Sequence, residues 1–121
     1  MLFRSVRVYS YSRCSTCRKA LAWLKEQQIA YELFDIVEAP PSKEVLREAF
    51  DQLGSRKPLF NTSGLSYRAL GSAAVKAMSD DEALDALAAD GKLIKRPFLI
   101  TGSGKVLVGF KPEAWTESLL N

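Results

Sequence analysis

Ser5-Val6-Arg7-Val8-Tyr9-Ser10-Tyr11-Ser12-Arg13-Cys14-Ser15-Thr16-Cys17 decides the fold of this chain. Val6 and Val8 alternate with Arg7 and Tyr9, the two-residue period of a pleated strand, so Ser5 to Ser10 reads as a short β-strand. Tyr11 to Thr16 is polar and turn-like. A helix is predicted from about Ser15 to Gln28, because Ala20, Leu21, Trp23 and Leu24 gather on one face. The two cysteines therefore stand where the C-terminal end of a strand feeds the N-terminus of a helix. The first N–H groups of a helix lack intrahelical acceptors and, with the macrodipole, favour a thiolate over a thiol. Arg13, Arg18 and Lys19 add positive charge nearby. Cys14 is thus predicted to have a lowered pKa and to be the attacking sulfur, with Cys17 one turn on and placed to resolve a mixed disulfide. Two other readings of a Cys-x-x-Cys pair stand beside this one: a pair of small buried residues without reactivity, and half of a metal site.

Working outward, Tyr31 to Ile36 is the next strand, which makes a βαβ unit with parallel strands and a right-handed crossover. Pro40-Pro41 ends it. Ser42 can cap a helix carrying Val45, Leu46, Ala49, Phe50 and Leu53 on one face, with Gly54 past its end. A short helix is expected around Tyr67 and Leu70. Ser79-Asp80-Asp81-Glu82 is a capping box opening a helix with Ala83, Leu84, Leu87 and Ala88 inward, closed by Gly91. Residues 42–91 form a helical block. Pro97 to Thr101, a Gly102-Ser103-Gly104 turn and Lys105 to Gly109 read as a hairpin. Pro112 sits in the first turn of a last helix. The order is βαβ, helical block, ββα, an α/β chain with a small mixed sheet.

The 121 residues suit one domain, residues 1–121. A formal net charge of +3, with Lys and Arg scattered among Asp and Glu, does not argue for direct nucleic-acid binding. No apolar run is long enough for a bilayer and no signal-peptide core is visible, so a cytoplasmic location and no membrane partner are expected. In a reducing compartment a close cysteine pair points to redox or metal chemistry. The chain contains no histidine. That removes a Ser-His-Asp or Cys-His nucleophile, and a zinc site would need carboxylates or a second subunit beside the two thiolates, so no metal is expected. Arg96-Pro97 precedes an apolar strand. X-Pro is where cis peptides occur, although a strand-initiating proline is also common.

Taken together, the sequence resembles the arsenate reductase (ArsC) and Spx family, including its YffB branch. The residues that carry the resemblance are Tyr9 to Ala20 with Trp23-Leu24, Leu59 to Gly64, Arg68, Ile94-Lys95-Arg96-Pro97 and Val108-Gly109-Phe110. The resemblance implies a thioredoxin-like fold with a helical insertion after the second strand. It implies a cis proline at Pro97 facing the reactive cysteine. It matches Cys14 to the family's reactive cysteine, Cys17 to the second cysteine of Spx-type members, and Arg18 and Arg96 to arginines that hold an anion. Two further arginines of the arsenate reductases are missing: Asn61 stands at the first position and Gly109 near the second.

Two functions follow. One is a thiol-dependent reductase: Cys14 attacks a small oxidised thiol, Arg96 and Arg18 hold an anionic group such as a glutathione carboxylate, Pro97 lines the site and Cys17 resolves the adduct. No bound cofactor is implied. Glutathione, thioredoxin or glutaredoxin would supply electrons, and a monomer suffices. The other is an Spx-type redox switch whose Cys14–Cys17 disulfide alters a surface contacting the C-terminal domain of the RNA polymerase α-subunit.

Overall fold

The computed structural model describes residues 6–120. The backbone groups into two compact units, one made of the segments up to Asp35 and from Arg96 onward, the other of Ile36–Lys95.

The first unit carries the whole sheet. Strand β1 (Val6–Ser10) is followed by helix α1 (Ser15–Glu26) and strand β2 (Tyr31–Asp35). After the second unit come β3 (Phe98–Ile100), β4 (Val106–Val108) and the last helix, α6 (Pro112–Leu120). The strand order is β2-β1-β3-β4. Strand β1 runs parallel to β2, with Val8 opposite Leu33, and antiparallel to β3, with Val8 opposite Leu99. Strands β3 and β4 form the expected hairpin, with Leu99 opposite Leu107. The Thr101 Oγ1 accepts from the Lys105 N–H at 3.0 Å and the Thr101 carbonyl accepts from Gly104 at 2.9 Å, which ties the turn. This is the mixed sheet of a thioredoxin-like fold. Ser5, the first residue of the predicted strand, lies outside the described residues.

The alternation read in β1 is what the packing uses. Val6 and Val8 are buried with Ala20 and Leu24 of α1, Leu99 of β3 and Trp115 of α6 in one cluster. Burying each such aliphatic side chain contributes about 1.5–3 kcal/mol. Trp115 donates from Nε1 to the Gly109 carbonyl at 3.1 Å, so its one polar atom is satisfied inside the core. Helix α1 ends two residues earlier than predicted. Gln27 caps it and Gln28 turns into a left-handed conformation with φ of 58°. Ile29 is thereby returned to the core cluster that Leu24 shares.

The second unit is the helical block. It holds α2 (Lys43–Leu53), α3 (Leu65–Leu70), α4 (Ser72–Ala77) and α5 (Asp80–Ala89), with short 3-10 turns at Lys57–Leu59 and Gly91–Leu93. Ser42 caps α2 by accepting from the Val45 N–H at 3.2 Å, and Gly54 closes it at a φ of 72°. Both halves of the Ser79–Glu82 capping box are formed. Two details differ from the sequence reading. Leu53 is exposed rather than inward. Gly91 does not terminate α5 with a left-handed turn, because Asp90 caps that helix and Gly91 begins the next 3-10 turn. Glycine is required at 91 for another reason: a Cβ there would overlap the Ile36 carbonyl oxygen.

Candidate active site

Cys14 is the N-cap residue of α1. It is held from both sides. Its backbone N–H donates to the Tyr11 carbonyl at 3.0 Å, closing the turn out of β1, and its carbonyl accepts from the Arg18 N–H at 3.1 Å, opening the helix. Its side chain performs the task that serine or aspartate performs at ordinary caps: Sγ accepts from the Cys17 N–H at 3.2 Å. No acidic residue occupies the first turn of α1. A sulfur in this position gains from becoming an anion, since the orphan N–H it faces is then bonded to charge.

The two thiols are driven apart in acidity. Burial of Cys14 pushes its pKa up. Hydrogen bonds from the Cys17 thiol and the Cys17 backbone N–H, together with the charge and hydrogen bond of the Arg96 guanidinium, outweigh that and hold it below the ordinary cysteine value. Cys17 moves the other way, to about 11. Burial is the main cause, and the hydrogen bond it gives to Cys14 adds to it. Cys17 is fully buried, and both cysteines are free thiols.

The cations predicted to favour the Cys14 thiolate need one correction. Arg13, Arg18 and Lys19 are all exposed, and the arginine that acts on the sulfur is Arg96, far along the chain at the entry to β3. Arg18 instead donates from Nη1 to the Ser12 carbonyl at 2.7 Å, bracing the loop that carries Cys14. Arg96 is half-buried, with its guanidinium carbon 4.9 Å from the centre of the Tyr11 ring. Its Nε is buried and has no hydrogen-bond partner among the described residues. The Arg96–Pro97 peptide is cis, as expected, and the Pro97 carbonyl accepts from Gly109 at 2.8 Å, which fixes the entry to β3 beside the end of β4.

Sequence reasoning missed Tyr11 and Ser10. Tyr11 lies under the Arg96 guanidinium, and the Ser10 side chain hydrogen-bonds to the Cys17 thiol. Their positions in the strand-to-turn segment were visible, but nothing in local sequence says which distant residue a loop tyrosine will meet. Among the described residues no group of three or more Cys, Asp or Glu side chains is placed to hold a metal ion.

A dithiol at a helix N-terminus, the half-buried thiol acidified and the buried one not, on a βαβ–ββα sheet, defines a thioredoxin-fold protein with a Cys-x-x-Cys pair. Comparison with known proteins narrows the class. The model of the ArsC family matches residues 9–118, and the chain belongs to that family. It is 46% identical to YusI of Bacillus subtilis over 94% of this chain and 98% of YusI. The structure of an ArsC family related protein from Bacteroides fragilis superposes with a TM-score of 0.86 at 39% identity, covering 96% of this chain and 98% of that one. Relatives of both functional kinds are present. An arsenate reductase of Neisseria meningitidis is 30% identical over 86% of this chain and 89% of its own length. The global transcriptional regulator Spx of Streptococcus agalactiae is 26% identical over 83% of this chain and 72% of its own length.

Proposed function

We propose that this protein is a thiol–disulfide oxidoreductase acting on a small anionic oxidised thiol, of which glutathione disulfide is the model substrate. The observation that carries the reading is the placement of the two thiols at one helix N-terminus: the Cys14 sulfur caps α1 and accepts from the Cys17 N–H at 3.2 Å, while Cys17 is fully buried, an arrangement that lowers the pKa of the first and raises that of the second. The Cys14 thiolate attacks one sulfur of the substrate disulfide. The substrate S–S bond breaks, a Cys14–substrate mixed disulfide forms and the first substrate thiolate leaves. Cys14 then no longer carries the charge or accepts the thiol hydrogen bond that help to hold Cys17 protonated. Cys17 passes its proton to the departing substrate thiolate or to solvent, attacks the Cys14 sulfur and releases the second substrate thiolate. The substrate gains two electrons and the protein becomes the Cys14–Cys17 disulfide, to be reduced again by a thioredoxin- or glutaredoxin-type dithiol, or by glutathione where the substrate is an oxidised thiol other than glutathione disulfide. Arg96 and Arg18 attract the carboxylates of such a substrate, and Pro97 is assigned to the wall beside the sulfur. Such chemistry suits a reducing cytoplasm and a monomer, with no metal or bound cofactor. No helix among the described residues is long and apolar enough to cross a membrane.

The Spx relative favours a second reading, in which the same disulfide switches a surface that contacts the C-terminal domain of the RNA polymerase α-subunit. One paired experiment separates the two. Glutathione-disulfide turnover is followed through NADPH oxidation coupled by thioredoxin and thioredoxin reductase, read against a blank without the protein and with no glutathione reductase present, beside a pull-down of that polymerase domain by the oxidised and reduced protein. The reductase reading predicts turnover lost in Cys14→Ser. Redox-dependent capture without turnover establishes the regulator instead.

A further inference from the structure

We propose that Tyr11 is a positioning residue for the reactive sulfur: its ring face carries the Arg96 guanidinium, and its carbonyl anchors the backbone of Cys14. The inference rests on the reading of Cys14 as the attacking thiolate and goes beyond it, because it assigns the placement of the activating charge to a residue outside the reacting pair.

Three observations converge on Tyr11. The guanidinium carbon of Arg96 stands 4.9 Å from its ring centre, within cation–π range. The Cys14 N–H donates to its carbonyl at 3.0 Å, so the ring and the sulfur are separated by one tight turn and cannot move far independently. The Arg96 Nε is buried without a hydrogen-bond partner among the described residues, so the inner edge of the guanidinium is not fixed by an acceptor there. A planar cation lacking that anchor is oriented by what its face rests on, and an aromatic ring is the usual platform.

The charged and titratable groups around Cys14 leave this task to Arg96. Cys17 faces it from α1 as a hydrogen-bond donor, and Arg96 faces it from the segment entering β3. The Ser10 hydroxyl of β1 is engaged with Cys17, Arg18 with the Ser12 carbonyl, and Arg13 and Lys19 are exposed. Without the Tyr11 ring, the guanidinium is free to swing toward water, where its charge is screened and its hydrogen bond to the sulfur is lost. The ring face does the work, not the hydroxyl, so phenylalanine substitutes and leucine does not.

The test is the pH profile of iodoacetamide alkylation of Cys14 in wild type, Tyr11→Phe, Tyr11→Leu, Arg96→Gln and the Tyr11→Leu/Arg96→Gln double variant. The fluorescence of Trp23 and Trp115 checks that each remains folded. Tyr11→Leu is expected to move the profile to higher pH and to slow alkylation at neutral pH about two- to fivefold, with Tyr11→Phe restoring the wild-type profile. In the Arg96→Gln background, Tyr11→Leu should add nothing. A wild-type profile for Tyr11→Leu, or an equal slowing with and without Arg96, overturns the role of Tyr11. An ordinary cysteine profile in wild type would instead overturn the reading of Cys14 on which this one rests.

Discussion

Alkylating both cysteines at one pH exposes the asymmetry of the pair. Iodoacetamide reacts with the thiolate, so labelling of each sulfur follows its ionised fraction and its accessibility. Cys17 is held at about 11. At pH 8 that leaves about one thiolate in a thousand, against about one in four for an ordinary cysteine near 8.5. Ionisation alone therefore slows Cys17 about two-hundredfold relative to an unperturbed thiol, and its complete burial slows it further. Cys14 is displaced the other way and is only half-buried. The sign is the same throughout the accessible range. Labelling of Cys14 reaches its plateau below the pH at which an ordinary cysteine would, while labelling of Cys17 in molecules whose Cys14 is still unmodified climbs about tenfold per pH unit until the pH nears 11. The assay is a time course quenched with acid and read by peptide mass spectrometry, which separates modification at the two positions. Denatured protein should label both at similar rates, which shows that the fold creates the difference. Comparable labelling of the two cysteines in the native protein, or preferential labelling of Cys17, would refute the reasoning from burial and hydrogen bonding.

Two further outcomes follow from particular residues. Gly91→Ala should lower the urea midpoint by an amount equivalent to about 2–4 kcal/mol, because the added Cβ overlaps the Ile36 carbonyl oxygen and backbone has to move; a wild-type midpoint would show that the two backbones have room to part. Arsenate should be a poor substrate with glutathione, glutaredoxin, glutathione reductase and NADPH supplied, since the family resemblance implies that two arginines of the arsenate reductases are missing, with Asn61 at one position and Gly109 near the other, and each charge-assisted bond lost is worth about 1.5–3 kcal/mol, or two to four powers of ten together. Turnover at the rate of an arsenate reductase would show those arginines to be dispensable.

Much of this molecule was legible in its sequence where the signal is local. The strand into Cys14, the amphipathic face of α1, the Ser42 cap, the Ser79–Glu82 box and the Gly102-Ser103-Gly104 hairpin each depend on residues within a few positions of one another. The cysteine pair was legible for the same reason. What escaped was set by distant contact. The charge beside Cys14 comes from Arg96, not from the nearer Arg13, Arg18 and Lys19, because those three side chains are exposed while the β3 entry returns beside the end of β1. Gly91 looked like a helix stop, yet its lack of a Cβ serves the passing Ile36 backbone. Gly109 is a similar case. Its φ of 75° suits glycine, and the core needs its carbonyl for Trp115, so an arginine there would strain this backbone.

The division of labour between the two sulfurs is tested most directly by trapping the intermediate. Cys17→Ser incubated with glutathione disulfide should accumulate one glutathione in mixed disulfide at Cys14, visible as a single mass adduct on the intact protein and mapped to that residue by peptide analysis. Cys14→Ser should remain unmodified over the same time, and wild type should pass to the Cys14–Cys17 disulfide with loss of two hydrogens and no lasting adduct. An adduct on Cys17 in Cys14→Ser at a comparable rate, or no adduct in Cys17→Ser, would contradict the account that Cys14 attacks and Cys17 resolves.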